Sequence, residues 1–208
     1  MKLNYYRIKD KLRRQCYKLI FSKLGYGIRV SKSIWNAQFN EGFWDYLFSK
    51  EEEAHYLQII DFKTLYKPDG KILDVGCGQG VLFYYLEERL EVVDYVGVDI
   101  SFEAVKKADK KFRGSKFMVL DFEKKKLDRK FDVIIFNETL YYFNNPLKKL
   151  DMAIKNNMNA EGIVIVSMCD FTGHDKIWDR IEGKYQLIDT KSIVNVKGQK
   201  WKVAVIRP

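Results

Sequence analysis

The chain has 208 residues, 47% of them hydrophobic and 15% aromatic, enough for one well-buried core and too apolar for intrinsic disorder. Its formal charge is +9, but +7 of that lies between Lys2 and Lys23, where Arg7, Lys9, Lys11, Arg13, Arg14 and Lys18 add to the two ends against one acid, Asp10. A basic total raises nucleic acid as a partner, yet here the charge belongs to one leading segment, so no nucleic acid is expected at the remainder. No apolar run approaches the roughly 18–20 residues of a membrane span, and basic residues interrupt any signal-peptide core. Cys16, Cys77 and Cys169 are odd in number, widely separated and without a CxxC pair, which argues against disulfides or zinc and for a reducing cytoplasm.

Residues 3 to 24 carry an apolar residue about once per helical turn (Leu3, Ile8, Leu12, Cys16, Leu19, Ile20, Leu24), with basic residues between, which predicts an amphipathic helix ended by Gly25 and Gly27. That helix fits peripheral attachment to an anionic membrane or an acidic partner, and equally a helix packed on the core with its lysines in water. Residues 28 to 48 read as irregular and unusually aromatic. Ser49 and Glu52 form an expected capping box for a second helix reaching Tyr66, before the breaker Pro68-Asp69-Gly70.

From Lys71 the pattern alternates strand and helix, with strands expected at about 71–75, 95–99, 116–120, 131–136 and 162–168 and helices at about 80–90, 102–112, 146–157 and 173–183. Two more strands, about 185–195 and 200–206, flank a turn at Lys197-Gly198-Gln199. The expected fold is α/β: a doubly wound, Rossmann-like seven-stranded sheet, mostly parallel with an antiparallel C-terminal strand, over residues 70–208. Residues 1–69 form an N-terminal helical and aromatic lid. The later connections are short, so this is the material available to close over a substrate.

The first strand runs into Asp74-Val75-Gly76-Cys77-Gly78-Gln79-Gly80, where glycines let the backbone turn sharply against a ligand. The second strand ends at Asp99, 19 residues after Gly80, where a carboxylate can accept both hydroxyls of a ribose. The third ends at Asp121-Phe122, an acid and a ring that suit an adenine. A glycine-rich turn alone serves several nucleotides. The D-x-G-x-G-x-G spacing is not the GxGxxG of a pyrophosphate site, and no tyrosine after the loop has lysine four residues on.

Residues 72–80, Asp99, Asp121 and 131–143 resemble the successive motifs of the class I S-adenosylmethionine (SAM) dependent methyltransferases, a likeness covering about 70–206. It implies SAM as cofactor, with Gly76, Gly78 and Gly80 on the methionine side, Asp99 on the ribose, and Asp121 and Phe122 at the adenine. SAM has no phosphate, so Asp74 offers its carboxylate to the ammonium end. Cys77 fills the loop, and Ile100 and Asn137 complete the cofactor set. Glu138-Thr139-Leu140-Tyr141-Tyr142 is similar to the nodulation-factor N-methyltransferases, with Tyr142 where many small-molecule methyltransferases have histidine. Residues 35–47 resemble the leader of methyltransferases from polysaccharide and natural-product pathways.

The expected acceptor is a small polar metabolite, such as a sugar or polysaccharide precursor, methylated on oxygen or nitrogen without a metal. The alternatives are an RNA or protein methyltransferase docking through the basic helix, and a non-catalytic SAM-binding subunit. His174, Tyr142 and Glu138 are the candidate bases; Trp44, Tyr46, His55 and Tyr141 are candidate lid or acceptor contacts. His174 could instead be a polar residue at a helix start, and His55 lies on an apolar stripe with Ile59, Phe62 and Tyr66.

Overall fold

Strands of a sheet covered on both faces bury both of their side-chain rows, and five segments of this chain do so without interruption, at 72–75, 95–98, 133–136, 162–169 and 203–206. A computed structural model describes residues 17–90, 94–113 and 116–208. Its strands are β1 (Ile72–Val75), β2 (Tyr95–Asp99), β3 (Lys116–Val119), β4 (Phe131–Asn137), β5 (Met158–Cys169), β6 (Leu187–Val194) and β7 (Lys200–Ile206). They form one sheet in the order β3-β2-β1-β4-β5-β7-β6. The pairs from β3 through β5 are parallel, and β7 runs antiparallel to both β5 and β6. This is the Rossmann-like sheet expected from the sequence.

Alternate residues of the central strands feed two cores. Ile72, Val133, Ile135, Ile163 and Ile165 face α2 (Glu53–Tyr66), α3 (Val81–Glu87) and α4 (Phe102–Lys111); before them in the chain lies α1 (Lys32–Asn40). Leu73, Val75, Ile134, Phe136, Val164 and Val166 face α5 (Pro146–Asn157) and α6 (His174–Glu182). Asn145 caps α5, its side chain accepting from the Lys148 amide with Pro146 in the first turn; Ser101 caps α4 through the Ala104 amide.

Two expectations for the N-terminal region, the irregular stretch over 28–48 and the capping box, are corrected by the structure. The helix over 3–24 lies largely outside the described residues; of it, Tyr17–Phe21 is a π-helical turn and Ser22–Leu24 a 3-10 turn, ended by Gly25 with φ 65°. Residues 28–48 are not irregular: they contain α1 and a 3-10 turn at Asp45–Phe48. Ser49 and Glu52 make no capping box. The helix starts at Glu53, no side chain caps it, and Glu52 is buried in the molecule's main cavity. Strand β5 also begins earlier than expected, with a register shift against β4 between Phe131 and Val133. Among the described residues no helix is long and apolar enough to cross a membrane.

Phe136 is wholly buried at the centre of the sheet. Phe136→Ala should lower unfolding free energy by about 3–5 kcal/mol in urea titrations, whereas Val196→Ala, 89% exposed, should stay within about 0.5 kcal/mol.

Candidate active site

The crevice opens at the C-terminal ends of the parallel strands, where β1 has β2 on one side and β4 on the other. After β1 the chain turns through Gly76 (φ 79°), where a Cβ would lie 2.0 Å from the Thr139 methyl, so only glycine fits. The Gly76 and Cys77 amides donate to the Val98 carbonyl at 2.7 and 3.1 Å, tying the turn to β2. Asp99 accepts from the Gly78 amide at 3.0 Å and from the Ser101 amide at 2.7 Å. These bonds aim one carboxylate into the cavity and hold its pKa down, but burial is the larger effect and raises it to about 6. Asp74 lies deeper: burial raises it to about 7, the Tyr95 hydroxyl donating at 2.7 Å opposes this, and the Asp99 charge adds to it.

A strap over residues 26–48 roofs the crevice. Gly27 passes so close to α5's approach that a Cβ there would meet the Phe143 carbonyl at 2.1 Å, and the Ile28 amide donates to the Tyr141 carbonyl at 2.9 Å. The Ser101 hydroxyl donates to Asn36 Oδ1 at 2.8 Å, and Gln79 Nε2 donates to the Trp44 carbonyl at 2.9 Å, so the roof is bonded to the loops that follow β2 and β1. Trp35 stands edge-on to Tyr142 at 4.9 Å and packs on Trp44 at 5.7 Å. Arg29 donates to Asp121 Oδ2 at 2.5 Å. The Asp121 carboxylate, expected to be open for an adenine, is therefore already engaged by the roof; Phe122 beside it packs on Phe136 and Phe143.

The far wall comes from the turn after β4. Glu138 adopts φ 55°, the one non-glycine residue in the left-handed region among the described residues, and Tyr141 donates to its Oε2 at 3.0 Å. Its Oε1, the Asn137 Oδ1 and both ring nitrogens of His55 are buried without a hydrogen-bond partner. Burial raises Glu138 to about 7 against hydrogen bonds from Cys169 and Tyr141, with the Glu52 charge adding to the rise. Glu52 is itself raised by burial. His55 lies flat on Trp201 at 4.7 Å, and burial drives its pKa down to about 3, so it is neutral.

Of the residues expected from the sequence, Asp74, Gly76, Cys77, Gly78, Asp99, Ile100, Asp121, Phe122, Asn137, Glu138, Trp44, Tyr46, His55, Tyr141 and Tyr142 line one cavity of about 360 Å³. Gly80 does not: with φ 82° it starts α3 and shapes the turn from behind. Neither does His174. Its ring is stacked 4.2 Å from Tyr141, its Nδ1 lies 2.6 Å from the Cys169 carbonyl, and burial lowers its pKa. Tyr141 stands between it and the cavity. Arg29, Glu52, Tyr56, Gln79 and Trp201 line the cavity without having been expected there.

Fold and crevice together define the class: a class I SAM-dependent methyltransferase domain. The chain belongs to the family described as methyltransferase domain, whose model matches residues 66–202. It is 32% identical over 106 residues to the malonyl-[acyl-carrier protein] O-methyltransferase of Acetivibrio thermocellus, an alignment covering 49% of this chain and 37% of that protein, so the chain spans little more than a third of that curated relative. It superposes on the N-methyltransferase NodS from Bradyrhizobium japonicum WM9, solved with S-adenosylhomocysteine (SAH), at TM-score 0.64 and 15% identity, over 83% of this chain and 97% of that one. For the magnesium protoporphyrin IX methyltransferase ChlM from Synechocystis PCC 6803, solved with SAM, the TM-score is 0.61 at 17% identity, over 85% and 97%. At such identities the likeness to solved structures establishes the fold. With the family match it supports SAM as the ligand of this cavity.

Asp74 and Asp99 ionise in the folded chain near 7 and 6, against 3.8 for an ordinary aspartate. The unfolded chain therefore gives up these protons first, and the ligand-free protein loses stability as pH rises from about 4 to about 7. Asp74→Asn should make that decline shallower in thermal denaturation. A decline of unchanged slope would remove Asp74 as its source.

Proposed function

We propose that this chain transfers the methyl group of SAM to a nitrogen or oxygen of a small polar metabolite. The observation that carries this is the single cavity running from Asp74 and Asp99 to the Glu138 turn beneath an aromatic roof. Its volume of about 360 Å³ lies at the lower end of the roughly 300–1,000 Å³ of small-molecule sites. The residues fit the cofactor: Asp74 offers a carboxylate to an ammonium, the unpartnered Asn137 Oδ1 offers a second acceptor, and Asp99 has lone pairs left for a ribose.

When bound, SAM supplies a methyl carbon already activated by its sulfonium. The chain's own task is then alignment and exclusion of water, for which Trp35, Trp44 and Tyr142 close one side. Glu138 is the base this geometry favours. It faces the cavity, carries a free oxygen and titrates near neutrality. His174 acts behind it as a positioning residue, its ring fixing Tyr141, whose hydroxyl orients Glu138.

Asp99→Ala should abolish most SAH binding in calorimetry, since hydrogen bonds to a charged acceptor contribute about 1.5–3 kcal/mol each; unchanged affinity would move the ribose elsewhere. Glu138→Gln should lower turnover by about 10²–10⁴-fold while keeping SAH affinity, and His174→Ala by much less. The reverse ranking would make His174 the base.

A further inference from the structure

The acceptor half of the cavity has a charge pattern that selects its ligand. Glu52 and Glu138 both line it, one from the start of α2 and one from the turn after β4, and the Glu52 charge adds to the rise in the Glu138 pKa. Among the described residues lining the cavity the acids are Glu52, Asp74, Asp99, Asp121, Glu123 and Glu138, and the lone Lys or Arg is Arg29, already paired with Asp121. The neutral His55 adds two unpartnered ring nitrogens, one of which accepts in either tautomer. Around these groups stand the faces of Tyr46, Tyr56 and Trp201. Their phenols are held neutral, both Tyr46 and Tyr56 being raised by burial and by the Glu52 and Glu138 charges.

Two desolvated carboxylates with a free oxygen between them are expensive without a counter-charge. An anionic acceptor would worsen the repulsion. A neutral hydroxyl would leave it unrelieved. A cation answers both the carboxylates and the ring faces.

Resting on the methyltransferase reading, we propose that the acceptor is a primary or secondary amine, held as an ammonium between Glu52 and Glu138 within the rings of Tyr46, Tyr56 and Trp201. One N–H proton passes to the Glu138 carboxylate. The freed nitrogen lone pair forms the new N–C bond as the methyl–sulfur bond breaks, its electrons staying on sulfur. The products are a methylated ammonium and the neutral thioether SAH, so charge is conserved: the sulfonium's positive charge ends on nitrogen. Glu138 holds a strained φ of 55°, and the Tyr141 hydroxyl donating to Oε2 at 3.0 Å fixes its carboxylate at the cavity wall.

Calorimetric titration of the full chain saturated with SAH tests this, using D-glucosamine against D-glucose and n-butylamine against n-butanol as matched pairs. The amine of at least one pair should bind about tenfold or more tighter than its hydroxyl counterpart, since one charge-assisted hydrogen bond suffices for that factor. Glu52→Gln should cut the preference by about fivefold or more while changing SAH affinity less than about twofold. Equal or tighter binding of both hydroxyl members overturns the proposal, as does the absence of heat from both amines at about 10 mM, well above the millimolar range of weak ligands. A preference unaltered in a folded Glu52→Gln variant also overturns it; should that variant not fold, the wild-type comparison decides alone. Failure of the wild-type chain to bind SAH would instead overturn the methyltransferase reading beneath it.

Discussion

Strand β1 pairs in parallel with β2 on one side and β4 on the other, and the chain leaves these strands toward opposite faces of the sheet. From β1 and β2 it passes into α3 and α4, which share a core with α2; from β4 and β5 it passes into α5 and α6. Loops leaving adjacent strand ends for opposite faces must part, and the gap between them is the cavity. Two bonds then fix its width. The Gly76 amide is held by the Val98 carbonyl, and the Thr139 hydroxyl donates to the Val75 carbonyl at 2.7 Å. Both halves of the site are thus referred to the end of one four-residue strand.

The second organising fact is buried negative charge. Asp74, Asp99, Glu52 and Glu138 all face burial, and all have raised pKa values because of it. The chain provides each of the first two and Glu138 with compensating donors: Tyr95 for Asp74, the Gly78 and Ser101 amides for Asp99, Tyr141 for Glu138. These donors restrain the shifts without abolishing them. A ligand carrying positive charge therefore gains from carboxylates whose desolvation was met during folding, which is what preorganisation means at such a site. Binding to the folded state alone also raises its stability by mass action, so ligand and core reinforce one another.

The fold and the cavity wall from Asp74 to Asp121 were legible because their signals are local. Asp74 to Gly80, Asp99 and Asp121 stand at or just after strand ends, and the parallel pairing of β1 to β5 puts those ends on one edge. The acceptor half is assembled from elements far apart in sequence: Glu52 and His55 near α2, Glu138 after β4, Trp201 on β7. No spacing rule joins them. Glu52 was misassigned because Ser-x-x-Glu before an apolar run is a capping pattern, and only the tertiary fold turns that carboxyl inward. The α1 helix was hidden by its clustered aromatics, which pack on Tyr142 and Trp44 and do not form a continuous stripe. For His174, the sequence placed the residue on the correct edge. It could not say on which side of Tyr141 the ring would lie.

The roof couples these two halves. Its bonds to the cofactor loops come from Asn36, through Ser101, and from the Trp44 carbonyl, through Gln79, while the rings of Trp35 and Trp44 lie over Tyr142 and the acceptor wall. Ser101 is also the residue whose amide holds Asp99. Ser101 and Gln79 thus join the loops after β2 and β1 to the aromatic cluster over the cavity. The Arg29–Asp121 pair ties the same strap to the end of β3, so the strap is anchored beyond the C-terminal ends of β2 and β3. On the proposed function, a roof on two such anchors would shield both substrates from water, and alignment of an acceptor atom with a bound methyl carbon requires that both be fixed in one frame.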